Sequence, residues 1–289
     1  MGRVVVMLAV ATTLFSCVPY KKGSTGPQNL IVAVVSPEDR SLVKGALDSL
    51  FGRVMYTPEP EPYFELSYRD PSDFPDVKTS HNLAVISLFS PPDTTADRLV
   101  RSLLPSNQIE MARRGENRVF SARDLFSREQ MVVIVAAGNV SEYRDALDHR
   151  GQWIFRQFDE AFLERQKAYV FKTLEQKDLS RRLQEDYGWH MRIQHDYVII
   201  TEDPDRNFIK LGRSFPYRWI SVHWTDSPRV KALDIPAVTD DVEEFPHLYF
   251  RNIDFTDYYR QVEKTVLNGR EAYRVEGLWE RTNESKGGP

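Results

Sequence analysis

Leu30-Ile31-Val32-Ala33-Val34-Val35, followed at once by Ser36-Pro37-Glu38-Asp39, decides the fold class of this chain. The first run is continuous, apolar and β-branched, which is how a strand buried on both faces reads. The second is helix-start chemistry. Ser36 can cap, Pro37 carries a φ that suits the first helical position, and two acids suit the positive end of the helix dipole. Leu42, Val43, Ala46, Leu47 and Leu50 then recur at helical spacing, and Gly52 marks the stop. The same order returns further on. Gln130 to Ala137 reads QMVVIVAA, and Asn139 with Glu142 forms a capping box ahead of a helix from about Ser141 to His149.

Between these units the chain reads as turns and further strands. Pro58, Pro60 and Pro62 lead into an alternating stretch, Tyr63 to Tyr68; Leu83 to Phe89 is another buried strand, and a helix is expected near Asp97 to Leu104. Gln152 to Asp186 contains neither proline nor glycine and predicts one long helix, stopped by Gly188. Beyond it the period drops to two. Met191 and Ile193 alternate with polar residues, and Tyr197–Thr201 and Asn207–Leu211 flank a turn. Tyr217–Trp224 places Ile220, Val222 and Trp224 on one face, with Ser221 and His223 on the other. Ser227-Pro228 should start a short helix, Asp240 to Glu244 an acidic loop, and Phe255, Tyr258, Tyr259, Val262 and Val266 a helical stripe. Ala272 to Trp279 reads as a last strand. The expectation is an α+β fold with two sheet-and-helix halves, 30–150 and 151–289, connected by a long helix near 152–186.

The N-terminus carries an address. Arg3 precedes the mostly apolar Val4 to Phe15, and Leu14-Phe15-Ser16 then leads to Cys17, the only cysteine. A short basic start, a brief apolar core and a small residue before the cut describe an export signal. A spanning helix needs roughly twenty apolar residues, more than this stretch offers. Residues 1–16 therefore read as a lipoprotein signal peptide, Cys17 as the acylated residue, and 17–29 as a flexible tether. Val18, in place of an aspartate, favours the outer membrane, and the absence of an acidic cluster behind Cys17 favours its periplasmic face. With no second cysteine, a disulfide within the chain and thiol chemistry in the body are excluded. The formal net charge of −4 has its signs interspersed, and nucleic-acid binding needs a basic field that the chain lacks.

Motifs for catalysis are missing: there is no G-x-S-x-G, Walker loop, G-x-G-x-x-G or H-E-x-x-H. No catalytic residue, metal or cofactor is assigned. His190, His195 and His223 could converge on zinc, but exposed strand histidines account for them equally and are the commoner case. Asp203-Pro204-Asp205-Arg206-Asn207 imitates a calcium loop and then departs from it, with Phe208 for glycine and Ser214 for glutamate, so a hairpin turn is expected. Trp219, His223 and Trp279 are nominated as a ligand or packing surface, with packing favoured for Trp279 beside its glycine-rich end. The functional expectation is a lipid-anchored envelope protein that binds or assists, held to the membrane by its acyl chains and meeting an envelope protein partner. The alternative is a hydrolase of envelope polymers using carboxylates or histidine.

Several of these segments carry a resemblance. Leu30–Val35, Glu61-Pro62-Tyr63-Phe64-Glu65-Leu66, His81-Asn82-Leu83, Phe126 to Val133, Asn207-Phe208-Ile209-Lys210-Leu211 and the closing GLWERT and GGP fall in an order similar to the uncharacterised Bacteroidota lipoproteins grouped as domain of unknown function 4837. The resemblance implies lipoprotein character and an envelope location, and no activity.

Overall fold

The structure, a computed structural model, describes residues 20–57, 59–89, 94–226 and 234–288. The signal peptide, Cys17 and the helix expected at Ser227-Pro228 lie outside the described residues.

The opening strand–helix unit forms as β1 (Leu30–Val35) and α1 (Pro37–Phe51). A hairpin of β2 (Val54–Thr57) and β3 (Glu59–Pro62) precedes β4 (Glu65–Arg69). A short helix α2 (Phe74–Val77) leads into β5 (Asn82–Leu88). Then come α3 (Thr95–Leu103), α4 (Ser106–Arg113), β6 (Val119–Arg123), β7 (Met131–Ala137) and α5 (Val140–Val170). The sheet order is β4-β1-β5-β7-β6; all neighbours are parallel except β6, which runs antiparallel to β7 at the edge.

Apolar runs without alternation make sense in this sheet, because both faces are covered. Ile31, Ala33, Val35, Ala84, Ile86, Val133 and Val135 pack on α1 and α5 through Val43, Leu47, Phe51, Tyr143, Phe155 and Phe158. Val32, Val34, Leu83, Val85, Val132 and Ile134 face the other way, onto Val100, Leu104, Ile109 and Ala112 of the α3–α4 side. The result is three layers with two cores. Gly151 lets α5 run close to α1: a Cβ there would lie 3.1 Å from Leu50 Cδ1.

The chain continues as α6 (Lys177–Tyr187), β8 (Val198–Asp203), β9 (Phe208–Arg213) and β10 (Arg218–His223), forming an antiparallel sheet in the order β10-β9-β8. The turn at Pro204–Arg206 closes with Asn207 in the left-handed region, so the calcium-like stretch is a hairpin turn. One face of this sheet packs Ile209, Leu211, Ile220 and Trp224 against Leu183 of α6. The chain ends with α7 (Ile235–Tyr249), the long hairpin β11 (Ile253–Leu267) and β12 (Arg270–Arg281), and β13 (Glu284–Gly288). The whole is α+β, with the long helix α5 between its sheet regions.

Several expectations are corrected. The helix expected at 152–186 is two: α5 begins earlier and runs through Gly151 to Val170, and α6 starts at Lys177. The break is tertiary. Gln176 turns its amide to the carbonyls of Gln194, His195 and Tyr197, and Arg192 holds Glu175 through two hydrogen bonds of 2.8 Å. Met191 and Ile193 are extended without being a strand, because their carbonyls serve Ser180 Oγ and the Gln176 N–H. The acidic stretch 240–244 lies inside α7, started by Asp234, which accepts from the Ala237 N–H at 2.9 Å. The stripe from Phe255 to Val266 is strand β11, paired with β12. Tyr20 to Asn29 is no free tether: Lys22, Ser24 and Thr25 hydrogen-bond to Arg128, Thr79 and His81.

Candidate functional site

The site begins with strand alternation in β9 and β10. Phe208, Lys210 and Gly212 share one face with their cross-strand partners His223, Ser221 and Trp219. The opposite face is the apolar one on α6, so this face is left for α7, β12 and solvent. Gly212 is what lets Trp219 lie across its neighbour. A Cβ at 212 would sit 2.9 Å from Trp219 Cδ1 and 2.3 Å from Ile200 Cδ1.

Trp219 meets Trp279 of β12 with ring centroids 5.8 Å apart. Trp279 in turn lies on the terminal glycines, where a Cβ on Gly288 would be 3.2 Å from the indole Nε1. Two of the three nominated residues are thus neighbours. The third, His223, sits at the far end of the same face. Its Nδ1 is 3.0 Å from the Asn207 carbonyl oxygen and 2.8 Å from Tyr249 Oη. That ring is occupied with holding Tyr249, which stacks on Phe208 at 4.1 Å. His223 positions the wall and does not reach into the cleft.

Sequence reading missed the residue at the centre. The Lys210 ammonium lies 4.3 Å from the centre of the Trp219 ring and 4.7 Å from that of Phe250. No carboxylate pairs with it among the described residues. Burial, and then the nearby Arg281 guanidinium, push its pKa below the ordinary lysine value. Lys210, Trp219, Phe250, Arg251 and Arg281 line a cleft of about 290 Å³, completed by Tyr249, Asn252 and Ile253, and among the described residues no carboxylate lines it. A partly desolvated cation between aromatic faces, with guanidinium groups beside it, offers charge to an anion and ring faces to whatever carries that anion. The signal in the sequence was a lysine inside an apolar strand, Phe208-Ile209-Lys210-Leu211.

A second polar concentration lies beyond the C-terminal ends of β1 and β5, where strand order reverses. Its groups hold the fold together. The buried Ser36 Oγ accepts from the Ala96 N–H at 2.9 Å, and the buried Asp97 takes two hydrogen bonds of 2.9 Å from Arg101. Asp39, also buried, has its pKa raised mainly by desolvation. Among the described residues no group of three or more His, Cys, Asp or Glu is placed to hold a metal ion, and no helix is long and apolar enough to cross a membrane.

The chain belongs to the family described as domain of unknown function DUF8532, whose profile matches residues 24–171, just over half of the chain. The matched family is not the domain of unknown function 4837 that the sequence resembles; what holds of that resemblance is membership of an uncharacterised family. That resemblance rests on the order of short motifs, and one of them, Leu30–Val35, is an apolar run that any strand buried on both faces can show. The match spans the three-layer unit and stops one residue past α5, so the Lys210 cleft lies outside it. No curated protein matches the chain. No solved structure matches it either.

Proposed function

We propose that this chain is a lipid-anchored protein of the bacterial cell envelope that works by binding, and that its cleft takes an anionic ligand with a ring face, such as a sugar phosphate or an acidic sugar. The anchor reading is supported by the order Leu14-Phe15-Ser16-Cys17 behind a short apolar stretch, with Val18 pointing to the outer membrane and its periplasmic face. The binding reading is carried by one observation: Lys210 is drawn out of water between two aromatic rings with no carboxylate among the described residues to balance it. Fold stability gains little from such a charge, whereas an arriving anion gains a charge-assisted hydrogen bond. The cleft has no carboxylate pair, so it favours binding over hydrolysis.

Calorimetry with three probes tests the binding reading. Glucose 1-phosphate should bind more tightly than inorganic phosphate, and glucose should bind least, because ring and charge are both needed. Lys210→Met should weaken glucose 1-phosphate binding at least about tenfold, close to 1.4 kcal/mol. The same variant should keep the stability within about 1 kcal/mol, since modest cation–π contacts are exchanged for relief from desolvation. Equal affinity of the variant and the parent would sink the assignment.

A further inference from the structure

The docked segment after Cys17 fixes how the body would meet a bilayer. Arg128 donates its backbone N–H to the Lys22 carbonyl at 2.8 Å, and its own carbonyl accepts from the Ser24 N–H at 2.9 Å. The Thr25 N–H donates to Thr79 at 2.9 Å, and the His81 N–H donates to Thr25 at 3.1 Å. Further out, the Lys21 ammonium reaches the carbonyls of Asp124 and Leu125, and Arg128 lies over the Tyr20 ring at 5.0 Å. The chain is therefore fastened from Tyr20 onward to one end-on edge of the sheet, the end at which its inner strands β5 and β7 begin.

We infer that the edge of the sheet formed by Thr79–His81 and Arg128–Gln130 lies against the membrane, with phospholipid phosphates as its partner. The inference rests on the acylation of Cys17 proposed above. Only Val18 and Pro19 separate Cys17 from Tyr20. Three Cα steps span at most about 11 Å, so the acylated residue cannot stand farther than that from the fastened edge. Among the exposed charges there, Lys21, Lys22, Lys78 and Arg128 outnumber Asp76, Asp124 and Glu129, and the positive excess suits anionic headgroups. The opposite edge, where Glu38 lies in the first turn of α1, is a strand length away, roughly 20 Å at about 3.3 Å per residue.

The test uses the full acylated chain in phosphatidylethanolamine–phosphatidylglycerol vesicles. Acylation consumes the thiol of Cys17, so a single introduced cysteine takes the fluorophore. Asp76→Cys labels the near edge and Glu38→Cys the far one, with energy transfer to a headgroup-labelled lipid as the readout. Transfer should be several-fold greater from position 76 than from position 38. Inserting about twelve Gly/Ser residues between Pro19 and Tyr20 should erase the difference. Equal transfer from both positions in an acylated chain that floats with the vesicles overturns the orientation, as does a difference that survives the insertion. A chain that takes up no labelled fatty acid and does not float removes the anchor reading itself, and the orientation with it.

Discussion

Single residues in this protein are legible when their role is local and opaque when it depends on what the chain brings alongside. Trp219 and Trp279 stand out in the sequence as large aromatic residues on strands, and they meet in the fold. Lys210 does not stand out. Its meaning comes from Phe250, which α7 delivers, and from Arg281 at the end of β12. His223, nominated for a ligand or packing surface, hydrogen-bonds the Asn207 carbonyl and Tyr249. His81 gives a prediction at this scale. Burial first, and then the charge of Arg165, hold its pKa below the ordinary 6.5, and Ser24 Oγ lies 2.6 Å from its Nδ1. A depressed histidine adds stability above its unfolded pKa and loses it as the pH falls through the folded one. Stability should therefore decline on acidification below about pH 6.5. His81→Gln should flatten that decline in urea titrations at pH 7 and pH 5.5, and an unchanged slope would show that His81 is not its source.

At the scale of elements, caps and turns decided which readings held. Ser36-Pro37 and Asn139 mark the starts of α1 and α5. The capping box is real but rearranged. Asn139 Oδ1 accepts from the Glu142 N–H at 3.1 Å, while Glu142 accepts from the Gly138 N–H at 3.1 Å and from Arg118 at 3.0 Å. Desolvation opposes ionisation of Glu142, but these hydrogen bonds and the Arg118 charge outweigh it and lower its pKa. Glu142→Ala should cost about 1–2 kcal/mol at neutral pH, as loss of a cap and a charge-assisted bond does. The penalty should vanish as the pH falls through the carboxylate range, where the parent loses the same interaction. Paired urea melts at pH 7 and pH 3 check both halves.

Two of the corrected elements depart from their sequence reading for different reasons. β11 reads as a helix in the sequence because Phe255, Tyr258, Tyr259, Val262 and Val266 also fit a helical period. The overlooked signal was Asn268-Gly269, both with positive φ at the tip of the β11–β12 hairpin, a turn that asks for such residues. The break before α6 had no local signal at all. It is made by Gln176 and Glu175 reaching residues some twenty positions on, which periodicity cannot report.

At the scale of the molecule, the three-layer unit was the legible part, because its strands are buried on both faces and announce themselves as apolar runs. The remainder reads poorly because its sheets are half-exposed and its walls come from separate elements. The parts touch where Tyr56 of the β2–β3 hairpin stacks on Tyr259 of β11 at 4.2 Å. The family match is confined to the layered unit and the beginning of its docked segment, while the cleft belongs to the rest of the chain. The proposed anchor lies close to one part and the proposed ligand cleft on the other.

The measurement that tests the binding proposal most directly is the titration of the Lys210 ammonium by nitrogen-detected NMR, with and without glucose 1-phosphate. The Lys210 pKa should lie below the ordinary lysine value in the free protein, for burial and Arg281 both lower it, and should rise clearly when the phosphate binds. A Lys210 pKa that does not move at saturating glucose 1-phosphate would contradict that proposal.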